Sequence, residues 1–269
     1  MRALLKTGFA LLLLAFVLIG VSYSMLRAQD SNGPSSPGSR LLATDKREID
    51  AGVNAIDLSG PVNLVLRQGA TPSLEVRGEQ RLLANIDTEV DGNTLHIGPR
   101  GILLRHRQPI EVNLTLPSLA SLNVNGSGEH TVSGFAGERL ELVLSGAGSM
   151  RFNGRYRDID AVVRGSANLE VNGGNSERVN AASIGASTLT LVGASLELHA
   201  ESQGSGELDA RHLRADDVHL EHTGSGTSAI YARQNATVEL SGSGEVTVYG
   251  NPDNRNVTRH GSGSVSYRD

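Results

Sequence analysis

The amino-acid sequence predicts an all-β protein, a parallel β-helix-like solenoid with rungs of about 20 residues and an irregular N-terminal β capping region. Three observations predict this class. A glycine-rich triplet recurs eight times at a near-constant spacing, and apolar residues alternate with polar ones between the triplets. The chain of 269 residues also holds 32 glycines but only 38% hydrophobic and 3% aromatic residues. This composition suits a thin core of stacked short strands rather than a thick globular core.

The repeat begins with a triplet of small residues whose first member is always glycine. Successive first glycines are 20, 19, 20, 19, 20, 18 and 19 residues apart. A position that accepts only glycine is one where φ is positive, or where another backbone approaches too closely for a Cβ atom. We therefore predict structural turns, the corners of the solenoid, at Gly126, Gly146, Gly165, Gly185, Gly204, Gly224, Gly242 and Gly261.

A second glycine follows eight residues after the first in five of the seven repeats that reach this position, which predicts a second corner. Between the corners apolar residues occupy every other position, as in Leu140, Leu142 and Leu144. This period of two is typical of half-buried strands. Two short strands per repeat cannot bury their apolar faces alone, so stacked repeats must share one core. Right-handed coiling is the expected sense, because crossovers between parallel strands are overwhelmingly right-handed.

The first residues have the layout of a secretory leader. Arg2 and Lys6 precede an apolar run, so residues 1–28 are predicted to be a signal peptide, or a membrane anchor if they are not cleaved. Residues 29–42 contain a run of Ser, Gly, Pro and other polar residues and are predicted to form a flexible linker. We expect an exported protein of the periplasm or cell envelope, tethered to the inner membrane if the leader is retained.

The folded part is predicted to begin at residue 43. Residues 43–117 alternate like strands but repeat less regularly, so they are expected to form the N-terminal β region that caps the solenoid. A short helix is expected at 80–85 and a hairpin turn at Asp91-Gly92-Asn93. Residues 118–269 are expected to form the regular repeats.

Several motifs before the repeats occur in a characteristic order. They are Ile56-Asp57-Leu58-Ser59-Gly60, Val62-Asn63-Leu64-Val65-Leu66, Leu74-Glu75-Val76, Val90-Asp91-Gly92-Asn93 and Pro117-Ser118-Leu119. With the repeats that follow, the chain from about residue 45 to 269 resembles the bacterial "putative auto-transporter adhesin, head GIN domain" family. The resemblance implies a β-helix-like solenoid on an exported protein, with an adhesive role inferred from its shape.

The sequence argues against several kinds of site. The absence of cysteine excludes disulfides and Cys-based metal sites, and the net charge of −5 comes without a basic block, so nucleic acid is not an expected partner. Asp158 and Asp160 have the spacing of an acid/base pair, but Ile159 between them is expected to point inward and leave both in solvent. His219 and His222 are three positions apart, on opposite strand faces. No catalytic residue, metal or cofactor is predicted.

We therefore expect a non-enzymatic binding or structural protein of the cell envelope, adhesin-like in role, whose partner is an envelope polymer or protein. Membrane contact is expected only through the N-terminal segment. Two alternatives stay open. One is a β-helix enzyme that acts on an acidic polysaccharide through Asp158 and Asp160. The other is a scaffold that assembles as an end-to-end homo-oligomer, because the last strand, near Ser264 to Tyr267, would have an unpaired edge.

Overall fold

The computed structural model of the protein describes residues 41–101 and 109–268. The predicted signal peptide or anchor at residues 1–28, and all but the last two residues of the predicted linker, lie outside the described residues. Leu42–Asp269 cluster as one compact unit. Within the described ranges, no helix has the length and hydrophobicity that crossing a bilayer requires.

The described part of this unit contains seventeen strands and one short helix. The strands are β1 (Leu42–Arg47), β2 (Ala55–Gly60), β3 (Val62–Gln68), β4 (Ser73–Glu79), β5 (Ile86–Asp91), β6 (Thr94–Pro99), β7 (Ile110–Leu116), β8 (Ser121–Gly126), β9 (Glu129–Gly146), β10 (Ser149–Gly165), β11 (Asn168–Gly185), β12 (Thr188–Gly204), β13 (Glu207–Gly224), β14 (Thr227–Gly242), β15 (Glu245–Tyr249), β16 (Asn254–Gly261) and β17 (Ser264–Arg268), and helix α1 spans Gln80–Leu83.

The strands form two stacks along the solenoid, because each of the long strands β9 to β14 contributes a first segment to one stack and a second segment to the other. Stack A contains, in order, β1, β4, β7, β3, the first segments of β9 to β14, β15 and β17. Stack B contains β5, β6, β2, β8, the second segments and β16. Neighbouring rungs pair in parallel, which confirms the predicted solenoid. The right-handed sense stays a prediction.

The second corner is a bend inside a continuous strand, which differs from the predicted two separate strands per rung. β10 runs from Ser149 to Gly165 without a break, and its pairing with β9 shifts register between Asn153 and Arg155. The pairing of β11 with β12 shifts in the same way between Asn172 and Gly174. A bulge of this kind turns a strand sharply while the residues on either side keep their ladder hydrogen bonds. The strand therefore need not end at the corner.

The N-terminal region combines solenoid rungs with an antiparallel cap. β2 and β3 pair in parallel with β8 and β9 and so continue the two stacks. Beyond them β1, β4 and β5 are antiparallel to their neighbours. The expected short helix is present as α1, and Gly92-Asn93 forms the turn between β5 and β6, with φ of 60° at Gly92.

The core is a thin layer between the two stacks. The alternating residues predicted to point inward, such as Leu140 and Leu142 of β9 and Val238 and Leu240 of β14, are fully buried. Phe135, Phe152 and Tyr156 are the largest fully buried side chains, and all three lie near the junction of the cap with the regular rungs. Most of the remaining core is Leu, Val, Ile and Ala, which matches the low aromatic content.

Tyr156 joins the regular rungs to the chain that leads out of the cap. Its buried hydroxyl donates a 2.6 Å hydrogen bond to the backbone oxygen of Leu119, and burial raises the pKa of this hydroxyl to about 12.

Tyr156→Phe leaves the Leu119 oxygen without its partner, so we expect a loss of about 1 to 2 kcal/mol in the free energy of unfolding. Denaturant titration measures the loss. Tyr249→Phe, at a partly exposed tyrosine, is the control and should change the free energy by less than about 0.5 kcal/mol.

Candidate functional site

The predicted corner glycines form a column along one edge of the solenoid. They stand in register from rung to rung, as Gly165 pairs with Gly185 and Gly204 with Gly224. Seven of the eight have φ between 90° and 133°, and the exception is Gly126. At Gly126 the close approach of another backbone explains why the position is glycine, because a Cβ atom there would overlap the carbonyl oxygen of Gly60.

The backbone of the corner triplets is occupied by the neighbouring rungs. The N–H of Ser205 donates to the oxygen of Gly185 at 2.9 Å, and the N–H of Ser225 donates to the oxygen of Gly204 at the same distance. Amides that cradle a phosphate or an oxyanion must be free to point at the ligand. The corners therefore provide shape, and a ligand site must be sought on the strand faces.

Asp158 and Asp160 lie half-buried on the outer face of stack B, in a network of arginines. Asp158 pairs with Arg157 at 3.1 Å. Asp160 accepts a 2.6 Å hydrogen bond from Asn180 Nδ2 and pairs with Arg139 at 2.7 Å. Each carboxylate thus already has cationic or amide partners. The two carboxylates therefore belong to a surface network of ion pairs and hydrogen bonds and are not arranged as a catalytic acid and base.

His219 and His222 lie on opposite faces of β13, as their spacing predicted. His222 is buried, its Nδ1 shares a 2.8 Å hydrogen bond with Ser228 Oγ, and burial lowers its pKa. His219 lies on the outer face of stack B, where its Nε2 is 3.3 Å from an oxygen of Glu221. Its ring lies 5.9 Å, centroid to centroid, from the ring of His199 on the preceding rung.

Asp160, His199 and His219 line a groove of about 310 Å³ on the outer face of stack B. The first row of the groove contains residues in register on four successive rungs, namely Asp160, Asn180, His199 and His219. A second row, two residues further along each strand, contains Val162, Ala182, Glu201 and Glu221. The small side chain of Ala182 leaves space between the longer polar ones.

The groove offers groups of complementary hydrogen-bonding chemistry. Carboxylates accept hydrogen bonds, the Asn amide both donates and accepts, and neutral imidazole has one donor and one acceptor nitrogen. Successive rungs repeat these groups at the strand spacing of about 4.8 Å, along the solenoid axis. No three His, Asp or Glu side chains in residues 41–101 and 109–268 are arranged to hold a metal ion. The arrangement suits an extended polar ligand that contacts several rungs.

The pairing of His199 with His219 does not show when histidines are compared along one strand. Residues that are neighbours on successive rungs can be found by counting back from the corner glycine that follows each of them. Asp160, Asn180, His199 and His219 each lie five residues before one, and Ala182, Glu201 and Glu221 lie three before. Counted in this way, residues about twenty positions apart fall beside each other, since parallel rungs keep the register of their corners.

Comparison with known proteins places this chain in a family. The model of the family described as "Putative auto-transporter adhesin, head GIN domain" matches residues 53–252. No curated protein matches the chain.

Several solved structures share the fold. A structure of a putative adhesin from Parabacteroides distasonis ATCC 8503 superposes with a TM-score of 0.81 at 22% identity, covering 86% of this chain and 98% of its own. One from Parabacteroides merdae ATCC 43184 gives 0.78 at 21% identity, with 85% and 96% covered. A structure of a putative lipid binding protein from P. distasonis gives 0.75 at 22% identity, with 85% and 97% covered. The family match over most of the folded unit decides the assignment: the chain belongs to the putative auto-transporter adhesin, head GIN domain family.

Proposed function

We propose that the protein is an exported, non-enzymatic binding module of the cell envelope, which holds a polymer or protein partner against the outer face of stack B. The family's description as adhesins supports the general role. The observation that carries the proposal is the groove in which Asn180, His199, His219 and two glutamates line up across neighbouring rungs.

A binding role fits the groove better than a catalytic one. The groove is shallow and open, so it does not exclude water as a catalytic pocket does. Asp158 and Asp160, the pair considered for acid/base chemistry, are engaged by arginines and by Asn180. A face of repeated groups, each contributing a modest net hydrogen-bond energy, gains affinity through the number of rungs that one ligand contacts.

The place of action follows from the leader and the family. The basic and apolar start of the sequence supports export, and an adhesin acts outside the cytoplasm. We infer a periplasmic or surface location, with the leader either removed or retained as a tether. Sequencing the N-terminus of the mature protein distinguishes these two forms, because a retained leader keeps Met1.

The proposal is tested by binding of the purified protein to immobilised envelope polysaccharides and envelope proteins. The variant His199→Ala/Glu201→Ala removes one rung of groups from the groove, and we expect affinity for the captured partner to fall at least about tenfold. The matched control is Arg151→Ala/Glu170→Ala, which removes an exposed 3.3 Å ion pair from the outer face of stack A.

Equal binding by the wild-type protein and both variants would reject the groove as the binding face. Turnover of a polysaccharide that is lost in Asp158→Asn/Asp160→Asn would instead favour the enzyme alternative. Circular dichroism of each variant ensures that a loss of binding is not a loss of fold.

A further inference from the structure

A second groove, the stack A groove, lies on the outer face of stack A in its last four rungs. It has a volume of about 240 Å³ and is lined by residues of β13, β14, β15 and β17. The outward residues of these strands stand in rows three, five and seven positions after a corner glycine. The first row contains Glu207, Thr227, Glu245 and Ser264, the second contains Asp209, Ala229, Thr247 and Ser266, and the third contains Arg211, Tyr231, Tyr249 and Arg268.

Tyr249 is the aromatic side chain of the stack A groove. Tyr231, its neighbour in register on β14, lies over the second corner, because a Cβ atom at Gly250 would be 2.7 Å from the Tyr231 ring. Arg211 therefore reaches past β14, and its guanidinium carbon lies 5.9 Å from the centroid of the Tyr249 ring. No described residue hydrogen-bonds the Tyr249 hydroxyl. The groove thus contains a half-buried ring whose polar end is open to a ligand.

Arg211 is held in place by Asp209. The half-buried Asp209 carboxylate accepts the backbone N–H of Arg211 at 3.1 Å and its Nε at 2.8 Å. The two terminal nitrogens of the guanidinium hydrogen-bond no described residue. A guanidinium binds a carboxylate through two parallel hydrogen bonds, and fixing it in advance lowers the entropy lost on binding. Arg268, one rung beyond Tyr249, is a second cation of the groove and forms no ion pair with a described residue.

The opposite side of the stack A groove is acidic. Glu207 and Glu245 line it four residues before Arg211 and Tyr249, which is about 13 Å along an extended strand. Neither glutamate forms an ion pair with a described residue. The small Ala229 lies on the floor between the two sides. The groove therefore keeps its cations and its anions apart, with room for a ligand between them.

The floor of the stack A groove offers hydroxyl groups. Thr227 and Thr247 line it, and Thr247 Oγ1 is 3.2 Å from Ser266 Oγ. Hydroxyls both donate and accept hydrogen bonds, as the hydroxyls of a sugar do. Of the apolar lining residues, Ala229 is small and Leu208 is fully buried. The floor thus suits a sugar better than an apolar peptide side chain.

We propose that the stack A groove binds a carboxylate-bearing sugar unit within a polysaccharide. The carboxylate binds Arg211 and Arg268, and the sugar ring lies beside Tyr249. Hydroxyls of the adjoining neutral unit donate to Glu245. The glutamates repel a second carboxylate at that position, so the groove selects a polymer in which acidic and neutral units alternate over one in which every unit is acidic. This inference is independent of the groove on stack B.

Calorimetric titration of the full chain in mild detergent with three tetrasaccharides tests the proposal. The probes are a hyaluronan oligomer, which alternates acidic and neutral units, an oligogalacturonate, in which every unit is acidic, and a neutral chitin oligomer. We expect the hyaluronan oligomer to bind at least about tenfold more tightly than the other two. Arg211→Gln/Arg268→Gln should weaken that binding at least about tenfold, and added salt should weaken it in the wild-type protein.

A gain of binding separates recognition from misfolding. Glu207→Gln/Glu245→Gln removes the repulsion, so its affinity for the oligogalacturonate should rise at least about threefold. The matched control is Arg151→Ala/Glu170→Ala, which removes an ion pair from the same face outside the groove and should bind all three probes as the wild-type protein does.

The stack B variant His199→Ala/Glu201→Ala should also keep wild-type affinity for the hyaluronan oligomer, so a failure of the groove on stack B leaves this result intact. A wild-type protein that binds none of the three oligomers, or binds the neutral one as tightly as the hyaluronan oligomer, overturns the proposal. Undiminished binding by Arg211→Gln/Arg268→Gln overturns it as well. Binding of an alternating Glu-Lys peptide in place of the oligosaccharides would overturn it in favour of a protein ligand.

Discussion

Gly204→Val should destabilise the protein by about 2 to 4 kcal/mol. Gly204 has φ of 118°, a region that side chains with a Cβ rarely adopt, and a Cβ atom there would overlap the carbonyl oxygen of Gly185 on the preceding rung. Both the strain and the overlap fall on backbone, which cannot move aside without breaking the corner of two rungs. Differential scanning calorimetry should show a melting temperature lower by about 5 to 15 °C.

Two controls isolate the corner effect. Ser205→Ala should change stability by less than about 0.5 kcal/mol, because Ala147 and Ala186 occupy this triplet position in other rungs. Gly52→Val is the second control. The added Cβ would lie 3.7 Å from the nearest atom, an oxygen of Asp50, and the site has no positive φ. An unchanged melting curve for Gly204→Val would refute the description of the corner.

His130→Leu should remove most of an acid-induced loss of stability. His130 is buried at a position that Met150 and Leu169 fill in the next two rungs, and its ring nitrogens have no hydrogen-bond partner within the described residues. Burial lowers its pKa from 6.5 to about 4. The unfolded chain therefore takes up a proton at a higher pH than the folded one, so stability is complete above about pH 6.5 and falls as the pH drops toward 4.

The expected loss is about 3 kcal/mol at pH 4, from the size of the pKa difference. Denaturant titration from pH 7 to pH 4 should show a steep loss in the wild-type protein and a shallow one in His130→Leu. His222, whose pKa is also lowered by burial, contributes a residual slope of the same sign. The control His212→Ala changes an exposed residue at the second corner and should keep the wild-type slope. Parallel pH profiles for wild type and His130→Leu would contradict this role for His130.

The repeat and the alternation made the fold predictable. A triplet with an invariant first glycine indicates a backbone constraint at the corner. A period of two indicates which side of a strand is buried. The rungs and their inward residues can therefore be predicted from the local sequence pattern. The antiparallel pairing of β1 and β4 was not predicted, because cap strands need only cover the end of the core and carry no repeat, whereas the antiparallel pair of β5 and β6 follows from the predicted hairpin turn. The continuous strand through the second corner was also missed, since a glycine marks a bend without showing whether the ladder stops there.

The groove depends on contacts between rungs. His199 and His219 become neighbours only once the register is known, and an offset of one residue would place one of them in the core. Likewise, Arg255 and Arg259 look like ordinary surface residues in the sequence. Their alignment with Ala236 and Leu240 identifies them as inward positions of the last rung.

The most direct test of the binding face is histidine footprinting with intact envelope fragments as the ligand. Diethyl pyrocarbonate modifies accessible imidazoles, and mass spectrometry reports the extent at each one. His212 is exposed at the second corner and serves as the internal control. We predict that bound envelope material protects His199 and His219 and leaves His212 reactive. Protection of His212 with His199 and His219 still fully modified would contradict the assignment of the binding face.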